Sequence, residues 1–175
     1  LAAGLGKRMK SDTPKVLHPV AGRPMLFYPV EVVKNLGIKK VVVIVGHKAE
    51  EVISKGVLPY APTLHIAFVK QSPQLGTGHA VLSAADSLKS FKGNVLILSG
   101  DVPIITRETI LGLLILHAKK KAAISFISTV VEDPAGYGRV LRDGNNSVIR
   151  VVEDKDADSE EKAVNEINTG IYCAD

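Results

Sequence analysis

The sequence has 175 residues, 46% of them hydrophobic, which is enough for one domain with a sizeable core. No run approaches the roughly 18 consecutive apolar residues that a membrane span needs, so we expect no membrane-spanning segment. The formal net charge is +4, but no basic stripe carries interleaved aromatic residues, so we expect no nucleic-acid partner.

The first two thirds of the chain alternate between predicted strands and helices. Pro24 and Gly37 bound the first helix in the positions that proline and glycine favour. The run 41–45 is apolar throughout, as in a strand that is covered on both faces. In chain order we predict a strand ending at residue 3, a helix over 24–37, a strand over 41–45, a helix over 49–55, a strand over 64–69, a helix over 78–90, a strand over 95–98 and a helix over 106–121, which begins at a Thr106 cap.

The pattern changes after residue 122. Strands are predicted over 124–131, 138–142, 148–152 and 171–173, with a hairpin turn at 143–146. The first part predicts right-handed βαβ units. We therefore expect a single α/β domain over 1–175, with a Rossmann-like, mostly parallel mixed sheet flanked by helices and an antiparallel excursion in its second half.

The opening segment combines two glycines, Gly4 and Gly6, with Arg8 and, further on, Lys15. Backbone N–H groups in a glycine turn form an anion-binding concavity, and the two cations bring positive charge to it. The spacing fits neither a P-loop nor a dinucleotide fingerprint. We interpret the segment as a loop that binds the phosphates of a nucleoside triphosphate.

Two further segments follow predicted strands, where ligands bind in open α/β sheets. The first runs from Gln71 to Ala80 and contains Gly76 and Thr77. A side-chain amide both donates and accepts, as reading a uracil edge requires, and Thr77 is a candidate helix cap. Asp101 ends a strand and is a candidate Mg²⁺ ligand, the competing interpretation being a helix or turn cap.

Later polar residues suit a sugar. Glu153 and Asn168 can form directional hydrogen bonds to hydroxyl and acetamido groups, although each is equally compatible with a surface turn. The histidines show no metal-binding spacing, and His79 is interpreted as a packing or capping residue at a helix start. The single cysteine, Cys173, excludes an internal disulfide and favours a cytoplasmic protein.

Taken together, the motifs resemble the bacterial N-acetylglucosamine-1-phosphate uridylyltransferases, usually the amino-terminal half of a bifunctional protein. The resemblance runs from end to end of the chain. The opening motif is shared by many nucleotidylyltransferases, and the later segments narrow the resemblance. It rests on residues 1–9, 14–18, 71–80, 100–103, 136–139, 153–157 and 166–170.

The resemblance implies transfer of a uridylyl group from UTP to N-acetylglucosamine 1-phosphate with Mg²⁺, giving UDP-N-acetylglucosamine and pyrophosphate for cell-envelope precursors. It implies that Arg8 and Lys15 bind the phosphates and that Asp101 holds the metal. It also implies that the nucleoside is bound by Leu1, Ala2, Ala3, Gly4, Gln71, Gly76 and Thr77. For the sugar phosphate it implies Gly138, Glu153, Asn168 and Thr169.

The sequence departs from the family pattern in places. Lys7 stands where threonine is common, and Ser99 stands where some members have an aromatic residue. We expect the domain to be incomplete at both ends, with no hexapeptide-repeat acetyltransferase region in this chain. A homotrimer is then implied only through that missing region.

Two questions stay open at this point, namely whether residues 1–175 are active alone and which function the chain has. Residues 1–175 are active alone, or they are inactive without the further metal ligand that the family carries. A sister sugar-phosphate nucleotidylyltransferase, and a nucleotide-binding module without catalysis, are the alternative functions.

Overall fold

The computed structural model describes residues 1–4, 6 and 9–175, which fall into two units. The first unit comprises Leu1–Gly93 and Ile97–Gly112, and the second comprises Asn94–Leu96 and Leu113–Asp175. One nucleotidylyltransferase domain over 1–175 remains a prediction.

A short hairpin precedes the first helix. It consists of β1 (Pro19–Val20) and β2 (Arg23–Pro24), which pair antiparallel. Ala21 and Gly22, between them, both have positive φ. The prediction that Pro24 begins the helix is therefore wrong, because Pro24 lies in the hairpin and α1 runs over Phe27–Asn35.

The parallel part of the first unit is built around the opening residues. The strands β3 (Lys40–Val45) and β4 (His65–Lys70) pair in parallel. Ala2 bridges Val45 in parallel, and the Leu1 nitrogen donates to Leu98 O at 2.6 Å. Three segments therefore leave from the same edge of this sheet: the one after residue 3, the one after β3 and the one after β4.

The remaining helices of the chain largely follow the prediction. The helix expected over 49–55 is α2 (Ala49–Glu51), which continues as a π-helical segment over Val52–Val57. The helix expected over 78–90 is divided into α3 (Thr77–Ser83) and α4 (Ala85–Leu88). The long helix α5 (Arg107–Lys120) has its predicted cap, since Thr109 N donates to Thr106 Oγ1 at 3.2 Å.

Apolar residues of β3 pack on both faces of the sheet, as the apolar run predicted. Val43 and Val45 belong to a buried cluster with Val52 and Val57. Ile44 belongs to a second cluster with Ala80. The alternation follows the two-residue period of a strand, and it fixes the sheet between two helical layers of the first unit.

The second unit holds the antiparallel excursion. Its strands are β5 (Val95–Ile97), of which Ile97 is grouped with the first unit, β6 (Ile124–Val130), β7 (Arg139–Arg142), β8 (Val148–Val152) and β9 (Glu166–Ala174). They are ordered β5-β9-β7-β8, and β6 also pairs with β9. The predicted turn closes β7 and β8, with Asp143 Oδ1 accepting from the Asn145 and Ser147 backbones. The mixed α/β fold class is confirmed.

Two elements of the second unit were not predicted at their full extent. The strand expected over 171–173 begins five residues earlier, at Glu166. A short helix α6 (Ser159–Lys162) was missed, although Asp158 and Glu161 form its capping box. Among the described residues, no helix has the length and apolar character needed to cross a bilayer.

An ion pair holds the start of β9 to β7. Arg142 donates from Nε to Glu166 Oε2 and from Nη2 to Glu166 Oε1, both at 2.7 Å. These bonds, and the Ser128 hydroxyl, lower the pKa of Glu166 to about 2. A carboxylate whose pKa falls on folding stabilises the fold above its unfolded pKa, and loses that contribution as pH falls towards its folded value.

We expect Glu166→Gln to lower the free energy of unfolding at pH 7 by about 1–3 kcal/mol, since it removes a charge-assisted hydrogen bond. The difference from the unsubstituted protein should narrow as pH is lowered from 5 to 3. Urea denaturation across that range measures it, with Glu132→Gln, at an exposed carboxylate, as the control. A difference that stays constant from pH 7 to pH 3 would refute this role.

Candidate functional site

Lys15 and Asp101 meet in the first unit. Lys15 Nζ lies 2.5 Å from Asp101 Oδ2, although the residues are 86 positions apart. Their side chains are 41% and 31% exposed. Such a partly exposed pair stabilises a fold by only about 0–1 kcal/mol, so both charges are available to an incoming ligand at little cost.

The opening residues pass close to this pair. A Cβ on Gly6 would lie 2.8 Å from Lys15 Cβ, so a side chain at position 6 would displace the lysine. Leu1 O accepts from Gly100 N at 2.8 Å, which holds the residue before Asp101 against the opening segment. Leu5, Lys7 and Arg8 lie outside the described residues, so the phosphate role of Arg8 remains a prediction.

The segment after β4 closes on itself through Gln71. The Gln71 side chain is buried, and its Nε2 donates to Gly76 O at 3.0 Å and lies 3.2 Å from His79 Nδ1. Thr77 is exposed and makes no side-chain cap, because Gly76 occupies the cap position. The expectation that Thr77 caps the helix is wrong.

Gln74 connects this segment to the opening residues. Its Nε2 donates to Ala3 O at 2.6 Å. Ala2 and Ala3 are buried and Gly4 is exposed. Gln74 also lines a cleft of about 620 Å³, which is formed by residues 46–50 and 70–74. Two loops from the carboxyl ends of β3 and β4 thus form one concave surface.

The residues predicted to bind the sugar phosphate belong to the second unit. Asn168 N donates to Gly138 O at 2.8 Å, and Asn168 Oδ1 accepts from Gly170 N at 3.1 Å. Arg139 is paired with Val152, so the antiparallel register places Glu153 opposite Gly138. The Thr169 hydroxyl is already engaged, since it donates to Ile127 O at 2.6 Å. Gly138, Glu153 and Asn168 are therefore neighbours.

Metal-binding side chains are sparse in the described part of the chain. No three histidine, cysteine, aspartate or glutamate residues within it could hold an ion together. Asp101 supplies one carboxylate. Mg²⁺ commonly takes one or two protein carboxylates, with the remaining positions filled by water and substrate phosphates. The donor set fits Mg²⁺ carried with a triphosphate, and does not form a preassembled metal cage.

The family model described as Nucleotidyl transferase matches residues 1–174. The chain belongs to the nucleotidyl transferase family.

Curated relatives extend this nucleotidyl transferase assignment. The chain is 52% identical to the bifunctional protein GlmU of Thermoanaerobacter pseudethanolicus and 49% identical to that of Geobacter metallireducens, each over 175 residues. All of the chain is covered in both comparisons. It spans 37% and 36% of the lengths of those relatives. The resemblance found in the sequence is confirmed.

Solved structures support the nucleotidyl transferase fold. A Bacillus anthracis protein assigned as a glucose-1-phosphate thymidylyltransferase, in complex with a sucrose, has a TM-score of 0.78 at 22% identity, covering 99% of this chain and 69% of that one. UDP-glucose pyrophosphorylase complexed with UDP-glucose has a TM-score of 0.70 at 19% identity, covering 99% and 73%. At these identities the likeness concerns the fold.

Sequence reasoning missed several residues that shape the candidate site. Gln74 and His79 bind the backbone and the Gln71 amide, where spacing gave no signal of a partner. Arg139 is buried and donates from Nη2 to Asp154 Oδ1 at 3.0 Å, and from Nη1 to Tyr137 O. This pair joins the two loops that carry Gly138 and Glu153.

Gly46 gives a direct test of the packing around Gln74. A Cβ at Gly46 would lie 2.1 Å from Gln74 Nε2 and 2.6 Å from Ala3 O. We expect Gly46→Ala to lower the free energy of unfolding by about 1–3 kcal/mol, because a backbone oxygen cannot move aside easily.

Gly112→Ala is the matched control. Gly112 lies in α5 with nothing within 4 Å of an added Cβ. Alanine there should raise the free energy of unfolding by about 0.5–1 kcal/mol through helix propensity. Denaturant midpoints measure both variants. Equal stabilities for Gly46→Ala and the unsubstituted chain would contradict the packing.

Proposed function

We propose that this protein transfers a uridylyl group from UTP to N-acetylglucosamine 1-phosphate, giving UDP-N-acetylglucosamine and pyrophosphate, in the synthesis of cell-envelope precursors. The observation that carries the proposal is the Lys15–Asp101 pair beside the opening segment. A cation suited to phosphates and a carboxylate suited to a metal ion lie together there, in a nucleotidyl transferase with bifunctional GlmU relatives.

The first unit would bind UTP. Lys15 would neutralise phosphate charge together with Arg8, and Gln71 would read the uracil edge. The residues proposed to line the nucleoside are Leu1, Ala2, Ala3, Gly4, Gly76 and Thr77. Support comes from the Gln74 bond to Ala3, which brings the segment after β4 against the opening residues.

The second unit would bind the sugar phosphate. A Cβ at Gly138 would make a tight contact, since Val151 Cγ1 would lie 3.3 Å from it. Glu153 is exposed and free to accept from sugar hydroxyls. Asn168 would contact the sugar, with Thr169 beside the phosphate. The Thr169 hydroxyl retains its lone pairs while it donates to Ile127 O.

The reaction needs no covalent intermediate. A phosphate oxygen of the sugar phosphate attacks the α-phosphorus of UTP, one oxygen–phosphorus bond forms, and the bond to the leaving pyrophosphate breaks. The attacking oxygen is already anionic, so no strong general base is required. Positioning two polyanions in line and neutralising their charge therefore supply the catalysis.

A divalent cation fits this scheme at Asp101. When bound, Mg²⁺ would neutralise part of the triphosphate charge. Lys15 would then exchange its bond to the Asp101 carboxylate for one to phosphate. The low strength of the partly exposed pair makes that exchange inexpensive.

Release of pyrophosphate from UTP and N-acetylglucosamine 1-phosphate tests the proposal. The protein is assayed as residues 1–175 and at the length of its GlmU relatives, with the other nucleotides and glucose 1-phosphate in parallel. We expect release that requires UTP, the acetamido sugar and Mg²⁺. Preference for another base or sugar would favour a sister nucleotidylyltransferase, and nucleotide binding without release at either length would favour a binding module.

A cytoplasmic location belongs to the same proposal, since UTP is an intracellular metabolite. A homotrimer formed through a further domain remains an expectation from the resemblance.

A further inference from the structure

The Gln71 side chain has a defined orientation. One amide atom lies 3.0 Å from Gly76 O and 3.2 Å from His79 Nδ1. A backbone carbonyl can only accept a hydrogen bond, so the atom beside it must be the amide nitrogen. The carboxamide cannot be turned over without placing two oxygens against each other.

The two hydrogens of the Gln71 amide nitrogen indicate which imidazole nitrogen of His79 carries the proton. The amide nitrogen carries two hydrogens, and one of them goes to Gly76 O. The other points to His79 Nδ1, which accepts only without a proton of its own. The neutral imidazole therefore carries its proton on Nε2. Because both hydrogens are used within the protein, Gln71 offers a ligand only its oxygen Oε1, and not the combined donor and acceptor that its sequence position suggested.

Gln71 lines the 620 Å³ cleft beside the opening residues. Among the described residues, no side chain or backbone group donates to its Oε1. A lone acceptor is complementary to a base that presents an N–H at the matching position. Uracil and thymine carry a hydrogen on N3, whereas cytosine carries a lone pair there, which would oppose the lone pairs of Oε1.

We propose that His79 is a positioning residue that sets base choice, by holding the Gln71 amide so that only its oxygen faces the cleft. The inference rests on the proposed function, in which Gln71 reads the base. Without the imidazole, only Gly76 O holds the amide nitrogen. The carboxamide can then swing about that one hydrogen bond and turn its second, unpartnered hydrogen towards the cleft as a donor to cytosine. His79 thus excludes cytosine without touching the nucleotide.

The test compares His79→Ala with His79→Asn in the full-length protein. Asparagine places an oxygen acceptor where Nδ1 stands, so it should keep the amide oriented, whereas alanine removes the acceptor. Dissociation constants for UTP and CTP, each with Mg²⁺, are measured by calorimetry. His65→Ala, at an exposed histidine of β4, is the control.

We expect His79→Ala to reduce the CTP-to-UTP ratio of dissociation constants by about tenfold or more, a loss typical of a removed hydrogen-bond discrimination. His79→Asn and His65→Ala should keep most of the ratio. An unchanged ratio in His79→Ala would overturn the role of His79, as would an asparagine variant that behaves like alanine.

Nitrogen NMR of the ligand-free protein checks the geometry independently of binding. His79 should show an unprotonated Nδ1 and a protonated Nε2, and the reverse tautomer would overturn the inference. Unsubstituted protein that binds UTP and CTP equally, or binds neither, would contradict the proposed function. A UTP preference that survives His79→Ala would contradict only the part assigned to His79.

Discussion

Lys15→Ala should lower kcat/KM for uridylyl transfer by on the order of 10²–10³, the loss seen when one charge-stabilising group is removed from a transition state. The effect should appear mainly in kcat, because Lys15 is proposed to act on charge that moves during the displacement. The free energy of unfolding should change by less than about 1 kcal/mol, since the pair with Asp101 is partly exposed.

Two variants sharpen this prediction. Lys15→Arg keeps the positive charge but changes the shape of the side chain, and the close approach of Gly6 to Lys15 restricts the space for it. We therefore expect this variant to have a kcat/KM between those of Lys15→Ala and the unsubstituted protein. Lys39→Ala removes an exposed lysine from the same unit and should leave the rate unchanged. Activity of Lys15→Ala within about threefold of the unsubstituted protein would rule out its role as a phosphate ligand.

Asp101→Asn should reduce the rate by a similar order, roughly 10²–10³, and should also change how UTP binding responds to Mg²⁺. In the unsubstituted protein we expect Mg²⁺ to tighten UTP binding, because the cation screens the carboxylate from the triphosphate. The asparagine variant should bind UTP at least as well without Mg²⁺, since that repulsion is gone and Lys15 is released.

Calorimetric titration of UTP, with Mg²⁺ and with a chelator, measures this response without relying on turnover. Asp86→Asn, at an exposed carboxylate of α4, serves as the control. If Asp101→Asn keeps the full Mg²⁺-dependent gain in UTP affinity, Asp101 does not hold the metal.

The elements with strong periodicity were predictable, and those governed by pairing were not. The apolar run of β3 required burial on both faces, and the structure provides it through Val43 and Ile44. Pro24 carried a valid helix-start signal, but its pairing with Pro19 decided the outcome. The first half of β9 has a polar composition, and only its partner strands make it a strand.

The candidate site also combines features that could be predicted with features that could not. Candidate residues could be located from glycine, charge and amide patterns, because those residue types bind phosphates and bases for local reasons. Their partners could not be predicted. The Lys15–Asp101 pair joins residues 86 positions apart, and the bond from Gln74 to Ala3 joins residues 71 apart. Such contacts depend on the order of strands in the sheet, which periodicity does not specify.

His79 illustrates what a local pattern leaves out. A histidine at the start of a helix suggests packing or capping, and nothing in its spacing indicates a role in the site. In the structure its Nδ1 lies 3.2 Å from the Gln71 amide nitrogen. That contact depends on how the segment after β4 folds back on itself, which residue spacing does not specify.

The most direct test of the central claim follows oxygen atoms through the reaction. The substrate is N-acetylglucosamine 1-phosphate labelled with ¹⁸O on its phosphate oxygens. It is incubated with unlabelled UTP, Mg²⁺ and the protein at the length of its GlmU relatives, and the ¹⁸O content of each product is measured by mass spectrometry. The account predicts UDP-N-acetylglucosamine that retains all of the label, and pyrophosphate that carries none. Label in pyrophosphate, or failure to form the nucleotide sugar, would contradict direct attack of the sugar phosphate on the α-phosphorus.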